Sequence, residues 1–342
     1  MRRRSRLKLI TLSVLTILAV ASQSLPTYVG AQASNINAAE GLQISPAIVE
    51  LNADPGGSYK IDLQVTNVTA SDLAFDTDVN DFAARDESGT PSVNLENDTP
   101  NAASISAWVT VLQTLNIAAR QTKKVTATID VPLDAEPGGH YGVIRFSGRA
   151  PELESSGVGL AASAGTLVLV RVAGAVDEDL DLVTFQTAQD GKSGSFFEYG
   201  PLDFILRFEN RGNVHVKPTG QIEVRDMFGN HFDTLTVNQD KGNVLPLSIR
   251  KFQTTLDKQW LFGRYTADVS VGYGTTGQAI VRTISFWVIP WKIIAIALLV
   301  IVTAFFVLRT LIRRYNNYII KRASASHSDK GHHDQKKKKR KK

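Results

Sequence analysis

The residues with the clearest potential for chemistry are acidic side chains in the stretch DTDVNDFAARDE, residues 76–87. Their spacing matches the first, third, fifth and twelfth positions of a calcium-binding loop, whose ligands are carboxylate and amide oxygens. The residues at those positions are Asp76, Asp78, Asn80 and Glu87. The sixth position, where the loop needs glycine for its sharp turn, holds Asp81, and the preceding residues alternate as in a strand. We therefore expect an exposed strand end without bound metal, and these four residues are the calcium candidates.

A second acidic stretch, DEDLD at residues 177–181, lies between two series of predicted strands. Calcium bound here would stiffen the connection, but a Ca²⁺ site takes about 6–8 oxygen ligands. Only four acidic side chains are present, namely Asp177, Glu178, Asp179 and Asp181. Solvated charge in a connecting segment is the simpler interpretation.

The sequence lacks the common catalytic motifs. It has no cysteine, no HExxH and no GxSxG, and the histidines of its central segment, His140, His215 and His231, are far apart. Nothing marks a pair of the acidic residues as a general acid and base. We predict that the protein is not an enzyme and that it binds no cofactor.

Two similar heptapeptides are the most conspicuous motif, ADPGGSY at residues 53–59 and AEPGGHY at residues 135–141. Proline followed by glycine is typical of turns, because proline presets φ and glycine supplies a positive φ. Each copy precedes a strand-like segment, whereas a phosphate-binding loop would precede a helix. We therefore predict structural turns, with a ligand loop as the alternative, at Pro55, Gly56 and Gly57 and at Pro137, Gly138 and Gly139.

The elements that must position these residues are strands. Apolar and polar residues alternate with a period of two across most of residues 42–287, which is typical of half-buried antiparallel strands. Gly, Pro, Asn and Asp clusters recur about every ten residues, as expected in β-sandwiches of about 100 residues. We predict an all-β fold with two immunoglobulin-like antiparallel β-sandwich domains and one C-terminal transmembrane helix. The predicted domains are an outer sandwich at 34–175 and a membrane-proximal one at 176–287.

The two ends of the chain have the composition of targeting and membrane segments. Basic residues at 2–8 precede an apolar stretch and small-residue sites, which predicts a signal peptide at 1–33. The charge-free run at 293–308 predicts a transmembrane helix at 288–311 and a basic cytoplasmic tail at 312–342. Aromatic residues on one side and arginines on the other orient the span as single-pass type I. These anchor residues are Trp287, Trp291, Arg309, Arg313 and Arg314.

The distribution of charge limits the classes of partner. The net charge of +5 comes from the ends, because residues 9–291 contain 31 acidic residues against 19 basic ones. Nucleic acid is therefore not an expected partner, although the basic tail is suited to anionic lipid headgroups. An acidic extracellular part favours neutral glycans or basic proteins. The lack of cysteine in an exported protein is typical of a bacterium.

The order of these segments resembles a known family. The runs ISPAIVELNADPGGSYKIDLQVTNVT, WVTVLQTLNIAARQTKKVTATIDVP and EPGGHYGVIRF resemble the peptidoglycan-binding-type domain of WxL-interacting surface proteins. The runs LRFENRGNVHVKPTGQIEVRDMFGN, LPLSIRKF and GRYTADVSVGYG resemble the immunoglobulin-like domain that follows it. The resemblance covers roughly residues 42–340 and implies a surface scaffold that holds partner proteins at the cell wall.

We therefore predict a non-catalytic scaffold or adhesion protein in the cell membrane, with its extracellular part in the cell-wall zone. Its expected ligands are cell-wall glycan, surface proteins or both. Two alternatives remain open. One is an assembly chaperone that acts by strand addition to a partner's sheet, and the other is a carboxylate-dependent glycan hydrolase.

Overall fold

The computed structural model describes residues 41–95, 103–148 and 163–338, with side chains up to residue 320. The predicted signal peptide lies outside the described residues. The fold class is confirmed: the described chain consists of strands that form four sheets in two sandwiches, followed by one C-terminal helix.

The first sandwich contains the strands β1 to β10. Sheet A has the order β1-β3-β8-β6, and sheet B has the order β2-β10-β9-β4-β5, with β7 also paired to β4. The strands of sheet A are β1 (Leu42–Ser45), β3 (Ser58–Asn67), β6 (Val109–Thr110) and β8 (Thr122–Asp130). Those of sheet B are β2 (Ile48–Ala53), β4 (Leu73–Ala84), β5 (Pro91–Asn94), β7 (Thr114–Ile117), β9 (Gly138–Gly148) and β10 (Ser163–Val172).

Period-two alternation directs one apolar row of each strand into the space between these sheets. In β3 the buried row is Ile61, Leu63 and Val65. It faces Phe75, Phe146 and the valines of β10 in one continuous core. The chain passes from sheet A to sheet B between β1 and β2, so β2 pairs in parallel with β10 at the edge of sheet B. This parallel pairing differs from the all-antiparallel expectation.

The second sandwich contains the strands β11 to β19. Sheet C has the order β12-β11-β14-β17, and sheet D has the order β13-β19-β18-β15-β16. Sheet C contains β11 (Leu180–Gln189), β12 (Lys192–Gly194), β14 (Leu202–Asn210) and β17 (Ser248–Leu256). Sheet D contains β13 (Phe196–Phe197), β15 (Thr219–Arg225), β16 (His231–Val237), β18 (Gly263–Tyr273) and β19 (Gln278–Val288). The core between sheets C and D is rich in aromatic residues, including Phe204, Phe208 and Phe286.

One helix, α1 (Trp291–Lys338), follows β19 after only Ile289 and Pro290. Its segment Trp291–Ile320 is long and apolar enough to cross a membrane. From Trp291 to Arg309 the helix rises about 27 Å, which is close to the thickness of a bilayer's hydrocarbon core. The helix begins three residues later than predicted and continues to Lys338, through most of the segment predicted as the basic tail.

Candidate functional site

The candidate site lies where the two sandwiches meet. In β10, Val168, Val170 and Val172 point into the first core, so Leu167, Leu169 and Arg171 lie on the opposite, outer face of sheet B. Leu169 packs there with Phe82 and Tyr141 in a separate apolar cluster. Leu245, from the β16–β17 connection at residues 238–247, packs against this cluster. The apolar part of the outer face of sheet B is therefore covered by the second sandwich.

This contact leaves a cavity of about 200 Å³ between the sandwiches. Six side chains give it an apolar wall, namely Ile48, Phe82, Leu167, Leu169, Leu245 and Ile249. Two buried polar atoms of lining residues, Asn243 Oδ1 and Arg250 Nε, have no hydrogen-bond partner among the described residues. Buried polar atoms are satisfied in most proteins. The apolar wall suits an apolar side chain of a ligand.

Arg250 contributes a positive charge to this cavity. Its Nη1 donates to the Asn243 carbonyl oxygen at 2.6 Å, and the guanidinium lies 5.2 Å from the centre of the Phe252 ring. Burial lowers the pKa of Arg250, while the nearby Asp240 partly opposes this effect. Arginine remains charged even so. A carbonyl or carboxylate oxygen is the ligand group that complements it.

The cavity reaches the edge of sheet B at Ile48, whose side chain is 50% exposed. β2 is the edge strand here and pairs only with β10 among the described strands. The bonds from Leu167 N–H to the Ala47 carbonyl and from Ala173 N–H to the Ala53 carbonyl show that odd-numbered residues of β2 face β10. Backbone groups alternate in direction along a strand. The N–H and C=O groups of Ile48, Glu50 and Asn52 therefore point away from the sheet and are available for pairing.

The β4–β5 hairpin holds one side of the junction in place. Glu87 accepts hydrogen bonds from Nε and Nη2 of Arg207, the first at 2.8 Å. Its carbonyl oxygen also accepts a bond from the backbone N–H of Lys251 at 2.7 Å. Gly89 in the same hairpin lies against the Arg250 guanidinium. The hairpin thus fixes the edge strand β17 relative to the first sandwich.

Ion pairs hold the other side. Arg171 Nη1 donates to Glu178 at 2.5 Å, and Glu178 also accepts bonds from the backbone N–H and hydroxyl of Thr275 at 2.7 and 3.0 Å. Burial alone would raise the pKa of Glu178, but these bonds outweigh it and lower the pKa. Glu50 likewise bonds Lys217 at 2.9 Å and Asn243 at 2.8 Å. Both carboxylates are therefore structural contacts between the sandwiches.

His215 and Tyr141 form the centre of the junction. The backbone N–H of His215 donates to the Tyr141 hydroxyl at 2.9 Å, and that hydroxyl lies 3.2 Å from His215 Nδ1. Burial lowers the pKa of His215 to about 4 and raises the pKa of Tyr141. The histidine is therefore neutral near pH 7, so the phenol can donate to Nδ1.

The two heptapeptides have different structures. Gly56 has φ +77°, and Gly57 N–H donates to the Asp54 carbonyl at 3.0 Å, which closes a turn before β3. Gly138 and Gly139, by contrast, are already the first residues of β9. Gly138 has φ +131°, and Gly139 N–H donates to the Asn213 carbonyl of the second sandwich at 2.8 Å. The second copy is therefore a junction contact and not a tight turn.

The acidic calcium candidates do not form a loop. Asp76, Asp78 and Asn80 lie at alternate positions of β4, where two-residue spacing is close to 7 Å. Asp78 bonds Arg145 at 2.9 Å, and Glu87 is occupied by Arg207. Among the described residues, no three His, Cys, Asp or Glu side chains are grouped as metal ligands. The strand spacing separates the candidates because Asp81, in place of glycine, continues the strand.

The remaining predicted residues are placed separately. His140 stacks near Trp108, with ring centres 4.5 Å apart, and His231 bonds Thr234 at 2.9 Å. His231 lies away from the junction, whereas His140 lines a second cavity between the sandwiches with Arg211 and Asn213. Trp287 and Trp291 lie on either side of the strand–helix connection, and Arg309, Arg313 and Arg314 lie on α1. The sequence analysis did not identify Ile48, Asn243 and Arg250 as site residues. Ile48 could have been noticed, because it is an apolar residue on the face of β2 that otherwise carries Glu50 and Asn52.

Comparisons with known proteins find likeness in structure only. No family model matches the sequence, and no curated protein matches it. Among solved structures, the class 5 fimbriae chaperone CfaA matches with 11% identity and a TM-score of 0.38, covering 71% of this chain and 98% of that one. The YadV chaperone matches with 11% identity and a TM-score of 0.36, covering 72% and 100%. The E. coli chaperone DraB matches with 13% identity and a TM-score of 0.33, covering 72% and 96%. The resemblance to WxL-interacting proteins stays a prediction.

Proposed function

We propose that this protein is a membrane-anchored, non-catalytic binding protein that holds an extended segment of another surface protein at the junction of its two sandwiches. The observation that carries the proposal is the apolar cavity beside the unpaired edge of β2. An exposed strand edge favours aggregation and an unfilled cavity lowers stability, so neither feature helps a sandwich to fold. Together they suit a polypeptide ligand.

The ligand would extend sheet B by one strand. Its backbone would pair with the outward N–H and C=O groups of Ile48, Glu50 and Asn52, which is the recognition mode known as strand addition. A side chain of the added strand that points to the outer face would lie beside Ile48. A large apolar side chain there would fill the cavity, while the positive charge of Arg250 would attract a carbonyl or carboxylate oxygen of the ligand.

The anchoring part of the proposal uses α1 as a membrane span, with both sandwiches outside the cell. The ion pairs and hydrogen bonds at the junction hold the cavity in a fixed shape above the membrane. Preorganisation of this kind favours affinity, because little ordering is required on binding. Cell-wall glycan as a second ligand, and anionic lipid headgroups as partners of the basic segment, stay predictions.

The test uses the full chain in detergent micelles to select binders from random peptides of roughly ten residues, which is the length of a long strand. Ile48→Arg places a charge at the mouth of the cavity and should weaken the selected peptides at least about tenfold, or ~1.4 kcal/mol. Leu112→Arg is the matched control, because Leu112 is a comparably exposed apolar residue elsewhere in the first sandwich. It should leave binding unchanged.

Selected peptides that bind Ile48→Arg as tightly as the unmodified chain would contradict the proposal. So would a chain that selects no peptide but retains soluble peptidoglycan fragments. That second result would favour the glycan ligand expected from the sequence.

A further inference from the structure

An exposed aromatic surface lies at one end of the second sandwich. Phe228 is 82% exposed, Trp260 is 78% exposed and Phe262 is 62% exposed. Large apolar side chains exposed singly are ordinary, but a group of them marks an interaction site. We define the aromatic end by Tyr199, Met227, Phe228, Trp260, Phe262 and Trp287, all of which are exposed.

Strand pairing brings these residues together. Gly263 pairs with Val288, so Phe262 lies beside the end of β19. The β15–β16 hairpin, which contains Met227 and Phe228, reaches the same end, since Met227 packs on Gly263. Gly200 N–H donates to the Gln259 carbonyl at 3.1 Å, which places Tyr199 near Trp260. Three separate connections therefore contribute to one surface.

The helix begins at this same end. β19 ends at Val288 and α1 begins at Trp291, so the two elements are separated by at most about 11 Å of chain. Backbone N–H groups of Trp287 and Ile289 donate to the carbonyls of Ser195 and Phe197, both at 2.8 Å. Lys292 in the first turn of α1 also bonds Glu198 at 2.8 Å. The aromatic end is thus held next to the start of the apolar span.

Two local lysines are paired within the protein. Lys292 bonds Glu198, and Lys258 lies 3.3 Å from Asp233. Arg264, opposite Trp287, bonds the Ser285 hydroxyl at 3.4 Å and not an acidic side chain. A contact made by this end would therefore depend mainly on aromatic and apolar burial. Tryptophan and tyrosine favour the boundary between headgroups and acyl chains, where one end of the side chain is wet and the other is apolar.

We propose that the aromatic end lies in the headgroup–acyl boundary of the outer leaflet, so that the second sandwich is docked on the bilayer rather than hinged above it. This inference rests on the membrane anchoring in the proposed function. The partner is the bilayer interface itself, since the apolar span starts within a few residues of the surface. Docking would fix the height and direction of the peptide-binding junction.

The test is fluorescence quenching in the full chain reconstituted in phosphatidylcholine vesicles. The chain has four tryptophans, and one variant retains only Trp260 by Trp108→Phe, Trp287→Phe and Trp291→Phe. Lipids brominated near the headgroup should reduce Trp260 fluorescence about twofold, as expected for a side chain within about 5–10 Å of the acyl boundary. Aqueous iodide should have little effect. Replacing about a fifth of the lipid by phosphatidylglycerol should change the quenching little, because Lys258 and Lys292 are already paired.

A second variant that retains only Trp291 reports on anchoring separately. If Trp291 is quenched by lipid and Trp260 is not, the helix is inserted but docking is disproved. If Trp291 is not quenched either, anchoring fails and docking fails with it. Trp260 that is shielded from iodide without lipid quenching would indicate a protein partner or a second copy, which also overturns the proposal.

Phe228→Ser at the tip of the hairpin tests the aromatic end at a residue other than tryptophan. In the variant retaining only Trp260, it should reduce lipid quenching and increase iodide quenching. Leu133→Ser is the matched control, because Leu133 is equally exposed on the first sandwich. It should change neither value. Equal effects of the two substitutions would contradict docking through the aromatic end.

Discussion

At the scale of single residues, the two heptapeptides show how one motif serves two purposes. Gly56 adopts a left-handed turn, and the atom nearest to an added Cβ is Cδ2 of the exposed Leu133. Gly138 opens a strand, and an added Cβ would lie 2.7 Å from the backbone oxygen of Asn213. The first glycine is thus required by local conformation and the second by close approach of the two sandwiches.

This difference predicts unequal effects of asparagine. Gly56→Asn should lower the free energy of unfolding by less than about 1 kcal/mol, because asparagine visits the left-handed region. Gly138→Asn should lower it by about 1–3 kcal/mol, since the side chain meets fixed backbone at an unfavourable φ. Urea unfolding of both variants measures the difference. Equal losses would show that both copies are turns of one kind, as the sequence alone suggested.

At the scale of elements, most strands were predictable from their pattern. The alternation in residues 59–65, 125–131, 202–208 and 265–273 predicted strands that are present as β3, β8, β14 and β18. The signal is strong there because one face of each strand is buried in a core of its own sandwich. The apolar run of residues 293–308 predicted α1 in the same way, since a charge-free segment of that length has few other structures.

The pairing of β2 was not predictable from its sequence. Its parallel contact with β10 joins residues more than 100 positions apart and depends on the chain's passage between sheets.

The calcium-like spacing of Asp76, Asp78, Asn80 and Glu87 was also misleading. A calcium loop folds its ligands around one ion, whereas β4 is extended and holds the same residues apart along the strand. Asp81, at the position of the loop glycine, instead accepts bonds from the backbone N–H groups of Ile105 and Ser106, both at 3.0 Å.

At the scale of the whole molecule, the candidate site belongs to neither sandwich alone. Ile48 and Leu169 come from the first, and Asn243 and Arg250 come from the second. No local pattern predicts such a cavity, because its shape depends on how two folded units meet. The ion pairs between the sandwiches and the neutral His215 that fix this meeting were equally hidden in the sequence.

The junction should be sensitive to mild acid. The pKa of His215 is lowered from 6.5 to about 4 in the folded chain, mainly by burial, and partly by Arg171 and Lys217 against the opposing effects of Glu50 and Glu178. As pH falls below 6.5, the unfolded chain therefore binds the proton first, and stability is lost between pH 6.5 and about 4. Going from pH 7 to pH 5 should cost about 2 kcal/mol. Urea unfolding at both pH values measures this loss. The His215→Gln variant should lack this part of the pH dependence. A variant that loses as much stability as the unmodified chain would contradict the prediction.

The central claim is that a polypeptide ligand pairs with the free edge of β2. Hydrogen exchange of the full chain in micelles, with and without a selected peptide, tests it most directly. We expect slower exchange at the amides of Ile48, Glu50 and Asn52, whose N–H groups point away from β10, and little change at Val49 and Leu51, which are already paired. Protection confined to another edge strand such as β16, or no protection in β2 at saturating peptide, would contradict the account.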